Sequence, residues 1–162
     1  MADFLKAITK TLAKEGGSTI TLDPTDRGGL TKYGISQKSY PALNIRALTA
    51  QQATDIYQRD YWDRIKGHAI PSQAVAEAIF DTCVNMGVSA GSRLAQAVVG
   101  ATQDGVIGPR TLASIAAMNE DLFLAKLALV KIARYAEICQ KDPSQTTFLL
   151  GWLLRTLSTA AL

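Results

Sequence analysis

A glutamate at position 15 is followed by Gly16-Gly17, by a loop holding Asp23 and Asp26, and by hydroxyls at Thr31 and Tyr33. A carboxylic acid, a second carboxylate and a hydroxyl in this order suit acid-assisted cleavage of a glycosidic bond. That reaction needs one carboxyl group that stays protonated to release the leaving oxygen. It also needs a group that stabilises positive charge at the anomeric carbon or activates water. Burial and the negative end of a helix both favour the protonated form of a carboxyl. Glu15 ends an amphipathic segment, and the two glycines stop that helix and let a ligand approach closely. Asp23 precedes Pro24, a pairing that commonly opens a turn, so Asp26 is favoured as the second functional carboxylate and Asp23 as a substrate contact. Thr31 is divided between orienting water and simply sitting in a strand. Tyr33 suits a cleft wall or a packing position better than a proton donor.

The elements that must position these groups are almost all helical. Phe4, Leu5, Ile8 and Leu12 form an apolar stripe at helical spacing, with Asp3 as a cap. Residues 18–35 break that pattern. Ser18 to Leu22 alternates like a short strand, Asp23 to Gly29 is dense in turn formers, and Leu30 to Ile35 reads as a second short strand. Helices resume at Thr49, where Thr49 and Gln52 form a capping box, and again near Ser72. Gly87 ends that helix, and a shorter one spans about 90–99. After the glycine-bearing loop Gly100 to Gly108, Pro109 sits at a first helical position. Asn119 caps a long helix with Lys131 and Arg134 towards its end, which suits the dipole. A last helix starts near Thr147, with Phe148, Trp152 and Leu153 as packing residues. The fold class expected is all-α and lysozyme-like, with one short β-hairpin or loop excursion near residues 18–35. A soft boundary near 100–108 divides residues 1–99, which hold the irregular loop, from residues 100–162, the two packing as one compact unit.

Composition bounds the alternatives. With 162 residues, 48% of them hydrophobic and 19% charged, the chain can fill a core. Seventeen Lys and Arg against fourteen Asp and Glu leave +3, which favours approach to an anionic polymer but is too weak to argue for nucleic acid. No uncharged apolar run reaches spanning length, and Met1 to Lys6 lacks a signal-peptide pattern. The expectation is therefore a cytoplasmic protein without stable membrane insertion, and a monomer. Cys83 and Cys139 read as buried thiols. His68 has no metal-ligand partners at useful spacing, so neither a metal nor another cofactor is expected.

Other side chains are candidates for holding a sugar polymer. Tyr57, Tyr61 and Trp62 suit stacking on sugar rings, although their spacing suits a core equally well. Asp81 and Asn85 share one helix face four residues apart. They suit N-acetyl groups or, equally, hydrogen bonds that orient a loop. Asp104 and Thr111 flank the second half of the glycine-bearing loop and suit wall contacts, with a tight turn as the competing reading for Asp104. Arg155 suits pairing with a carboxylate or solvation.

The ordered motifs add a resemblance. Lys14-Glu15-Gly16-Gly17, Asp23-Pro24-Thr25-Asp26-Arg27-Gly28-Gly29 and Thr31-Lys32-Tyr33-Gly34-Ile35 resemble the signature of glycoside hydrolase family 108. Tyr57 to Trp62, Phe80 to Gly87, Asp104 to Thr111 and Gly151 to Arg155 continue it in order along nearly the whole chain. Ser18 stands where the family often has an aromatic residue, and Arg27 where it often has proline. The resemblance implies a phage or prophage N-acetylmuramidase that cuts the β-1,4 bond between N-acetylmuramic acid and N-acetylglucosamine. Glu15 would be its catalytic acid, and the C-terminal part would bind peptidoglycan. Access to the wall from the cytoplasm would then need a membrane lesion of the holin type, after which the enzyme would act in the periplasm and cell wall. A lytic transglycosylase, a non-catalytic peptidoglycan-binding protein and a phage structural protein are the competing expectations.

Overall fold

In the computed structural model residues 1–14, 19–22 and 29–160 are described. Among them run seven α-helices: α1 (Phe4–Lys14), α2 (Ala50–Tyr57), α3 (Gln73–Met86), α4 (Val88–Val98), α5 (Pro109–Ala117), α6 (Glu120–Lys141) and α7 (Thr146–Leu157). Three short strands, β1 (Thr21–Leu22), β2 (Leu30–Lys32) and β3 (Ile35–Ser36), pair antiparallel in that order. The fold is mostly α with a small β excursion, as the periodicity requires. The single strand expected over Leu30 to Ile35 is instead a hairpin. Tyr33 and Gly34 turn the chain with φ of 53° and 75°, and Lys32 pairs with Ile35 across them. Two central residues at positive φ match the right-handed twist of the flanking strands.

The caps that set the helix starts are chemical and local. Asp3 Oδ1 accepts from the Leu5 amide at 2.8 Å. The Thr49 and Gln52 side chains complete a capping box. Ser72 and Asn119 accept from the Val75 and Leu122 amides, and Pro109 opens α5. Each of these satisfies, or in proline's case removes, a backbone donor that the first helical turn leaves unpaired.

α1 and α3 run parallel, tied near their starts by Asp3 to Gln73 and further on by Lys10 to Glu77 at 2.6 Å. Their apolar faces close over an aromatic cluster in which the Phe4, Trp62 and Phe80 rings meet at 5.6–6.1 Å, mostly edge to face. The same core continues through Ala95 and Ile107 to Phe123, Leu124 and Leu127, so α6 packs on the apolar layer that α1 and α3 bury. Cys83 and Cys139 are free and buried, and burial pushes the Cys83 thiol up to about 12. The last helix differs from expectation. Trp152 stacks on Tyr135 of α6 at 4.9 Å, but Phe148 is 54% exposed, and Leu150, Leu154 and Leu157 also lie on the surface.

α3 and α4 approach closely because Gly91 carries no side chain. A Cβ there would stand 2.9 Å from the Cys83 backbone, which cannot swing away. Gly91→Ala should therefore lower stability by about 1–3 kcal/mol, the range for overpacking. Gly151→Ala, in the middle of α7 with nothing within 4 Å of the new methyl, should raise it by up to about 1 kcal/mol through helix propensity. Urea unfolding of the two variants checks both signs.

Candidate active site

Glu15, Asp23 and Asp26 lie outside the described residues. What is described is the frame into which the chain carries them. α1 delivers the chain to Lys14, immediately before Glu15, and β1 and β2 flank the loop that holds the two aspartates.

On the hairpin side, Thr31 sits at the centre of the sheet, paired with Thr21 on one side and Ser36 on the other. Its half-buried hydroxyl donates to the Gly29 carbonyl at 3.3 Å, so it faces the start of β2 and the end of the aspartate loop. The positive-φ turn at Tyr33 is not left to itself. Tyr57, 2% exposed on α2, donates its hydroxyl to the Tyr33 carbonyl at 2.9 Å. Lys32 reaches the Arg46 carbonyl at 3.3 Å and lies 5.5 Å from the centre of the Tyr33 ring. Tyr61 is half-buried, its ring 5.5 Å from that of Tyr57. Tyr33 and Tyr61 are thus brought to one place by Tyr57.

Trp62 does not join them, which corrects its reading as a sugar contact. After Tyr57 the α-helix gives way to a π-type turn over Gln58–Trp62, closed by the Asp63 amide on the Gln58 carbonyl at 2.9 Å. The wider turn brings Trp62 back beneath the face that holds Tyr57. It is 2% exposed, wedged between Phe4 and Phe80, and offers no ring face to a ligand.

On the α3 side, Asp81 is 5% exposed and meets two cations, Arg155 of α7 at 3.1 Å and Lys131 of α6 at 3.6 Å. Its oxygens serve as counter-ions that join three helices, rather than as free acceptors for an N-acetyl group. Asn85, one turn on, donates to the Tyr135 hydroxyl at 2.7 Å and keeps its carbonyl oxygen as an acceptor. Lys131 was legible only as a helix-end charge. The missed signal is its place in the stripe Phe123, Leu127, Lys131, Tyr135, where a charge on the apolar face implies a buried partner.

On the α3 side a cleft of about 620 Å³ is walled by Thr11 and Ala13 of α1, Glu77 and Asp81 of α3, and Ser158 and Thr159 beyond α7. Small side chains and hydroxyls leave room for a chain of sugar rings. Glu77 is committed to Lys10 and Gln73, and Asp81 to its two cations. The described part of the cleft therefore supplies shape and polar contacts.

Asp104 and Thr111 belong to a separate cluster. Buried Gln96 donates to Asp104 Oδ1 at 2.7 Å and to the Val106 carbonyl at 3.0 Å, and accepts from the Gly105 amide at 2.9 Å. The Gln96 hydrogen bond, followed by the Val106 amide, holds the Asp104 carboxyl below the usual carboxylate range. Thr111 is 5% exposed, 3.4 Å from the same Gln96 amide. Both side chains lock the loop, as the tight-turn reading of Asp104 expects; Thr111 is buried there, whereas Asp104 and Arg110 are exposed. Among the described residues no three His, Cys, Asp or Glu side chains gather as a metal site, and no helix is long and apolar enough to cross a membrane.

Comparison with known proteins accounts for nearly the whole chain. Residues 8–87 match the family described as Glycosyl hydrolase 108, and residues 90–157 match the family described as Predicted Peptidoglycan domain. The structure of Brucella abortus SagA aligns with a TM-score of 0.84 at 32% identity, over 96% of this chain and 90% of that one. No curated protein matches. Fold, cleft and matches together define a glycoside hydrolase that acts on peptidoglycan. The chain belongs to glycosyl hydrolase family 108, with the peptidoglycan domain following the hydrolase region.

The Asp81 cluster generates a stability test. Asp81→Asn keeps the shape but removes the carboxylate that pairs with Lys131, which is 1% exposed. Removing one partner of a buried pair costs about 3–5 kcal/mol. Adding Lys131→Met should restore most of that loss, since the remaining cation, Arg155, is partly exposed and can be hydrated. Denaturant unfolding of the single and double variants measures the coupling; a loss under 1 kcal/mol for the single variant would show that Asp81 does not hold the helices together.

Proposed function

We infer that the protein is a muramidase that hydrolyses the β-1,4 bond between N-acetylmuramic acid and N-acetylglucosamine. Glu15 donates the proton to the leaving oxygen. Asp26, or in its place Asp23, stabilises the positive charge or positions water, and Thr31 orients that water. The observation that supports this reading is the place of two described elements along the chain, one before Glu15 and one after the aspartate loop. α1 and the cleft it walls lead to Glu15, and the hairpin held by Tyr57 returns Thr31 directly after the aspartate loop. General-acid chemistry needs its groups held within hydrogen-bond reach, and these are the two most firmly tethered segments bordering the loop.

The role proposed for it is that of a phage-type endolysin, which reaches its substrate through a membrane lesion and works as a monomer. Residues 1–99 carry the cleavage, and residues 100–162 add affinity for the wall through their exposed surface, Arg110 included.

Glu15→Gln keeps shape and hydrogen-bonding capacity but removes the acidic proton. Lysis of purified walls should fall by at least ~10²-fold with the fold retained. Asp23→Asn and Asp26→Asn in the same turbidity assay identify the second carboxylate by the larger loss. Mass spectrometry of the released ends should find reducing N-acetylmuramic acid. Ends carrying a 1,6-anhydro ring would instead make the enzyme a lytic transglycosylase, and a folded Glu15→Gln variant with near-native lysis would remove the assignment altogether.

A further inference from the structure

A second concavity, of about 550 Å³, opens beside the hairpin, between the segment that follows β3 and the outer face of α2. Its floor is Tyr40, Pro41, Leu43 and Ile56, and its rim carries Asp55 and Arg59. The walls are fixed in advance. Gln37 donates to the Tyr40, Pro41 and Leu43 carbonyls at 2.9–3.2 Å, and the Tyr40 hydroxyl donates to Asp60 at 2.8 Å. Arg59 directs Nε and Nη2 to Asp60, and the side chain stays 68% exposed with its other donors open. The hydrogen bond from Arg59, ahead of every other influence, holds the Asp60 carboxyl below the usual carboxylate range. Asp55 accepts only a neutral amide, from Gln51 at 2.8 Å, and retains its charge for a ligand.

An apolar floor between one open cation and one open anion fits a short peptide that carries both carboxylates and a free amine. The groove wall is continuous with the catalytic hairpin. The Gln37 amide bonds back to the Leu30 carbonyl, and the Tyr40 amide to the Ser36 carbonyl. A peptide held here lies beside the hairpin that carries Thr31. We propose that this groove binds the peptide stem of peptidoglycan, Arg59 taking a stem carboxylate and Asp55 the amine of the diamino acid, so that the enzyme selects stem-bearing strands. The inference rests on the muramidase reading.

The test compares walls that keep their stems with the same glycan strands stripped by an amidase, and adds an NMR titration with the free stem tripeptide. The native enzyme should favour stem-bearing strands. Arg59→Gln and Asp55→Asn should each raise KM for those strands about five-fold or more, on the order of 1 kcal/mol, and leave kcat and the stripped strands unchanged. Ala42→Trp, which fills the groove without touching a charge, should act in the same way, and this keeps the test valid if a charge variant unfolds. Tripeptide-induced shifts should centre on Tyr40 and Ile56. Equal cleavage of both substrates by all variants, or shifts elsewhere, would overturn the groove assignment while leaving the cleavage chemistry intact. Failure of the native enzyme on both substrates would overturn the muramidase reading instead.

Discussion

The carboxylate of Asp81 holds the C-terminal helices to the hydrolase region. It sits on α3, between a lysine from α6 and an arginine from α7, and the Asn85–Tyr135 hydrogen bond and the Tyr135–Trp152 stack gather around it. Charges this deep are tolerated only when each has a partner. Shifting α6 or α7 along α3 would part Asp81 from Lys131, which is 1% exposed, or from the partly exposed Arg155. Apolar contacts between helices lack that selectivity, since a leucine packs almost as well one notch along. The ionic cluster thus fixes the register of α7 against α3, and with it one wall of the cleft that α1 completes.

At the hairpin the constraint is a single hydroxyl. A non-glycine residue at positive φ is costly unless its surroundings hold it. Tyr57 does so by donating to the Tyr33 carbonyl from a buried helix position. The hairpin is short and its strands contribute few ladder bonds, so its orientation derives from α2 and from Lys32 on the Arg46 carbonyl. The helices are held by the Asp81 cluster and the hairpin by Tyr57 and Lys32, each through bonds to residues far along the chain.

Much of this was legible in the residues, because helix starts are decided locally. The Thr49–Gln52 box, Ser72, Asn119 and Pro109 act within one turn of themselves, and the elements begin where they stand. The rest was hidden where the deciding partner lies far along the chain. Trp62 turned inward because a π-type turn answers to Phe4 and Phe80, not to its own neighbours. Asp104 and Thr111 were drawn into loop closure by Gln96, a residue with no pattern of its own. Phe148 packs on Trp152, its ring stacked at 6.1 Å, yet stays 54% exposed because its partner is on the same helix. In the candidate site, Glu15, Asp23 and Asp26 are read from an ordered motif and lie outside the described residues. The bonds that Tyr57 and Lys131 make were hidden, since a stacking ring and a helix-end charge do not name their distant partners, and Tyr135 carried no signal beyond apolar spacing.

The two free thiols bear on where such a molecule can work. Cys83 and Cys139 lie under the surface on different helices, and neither contributes a covalent link. The architecture relies on burial, caps and one ionic cluster, none of which responds to glutathione or to a disulfide-forming catalyst. Folding needs no oxidant, and a strongly oxidising medium finds the Cys83 thiol poorly ionised and shielded. With both cysteines free and buried, the redox poise of the surroundings has no disulfide to make or break in holding this shape.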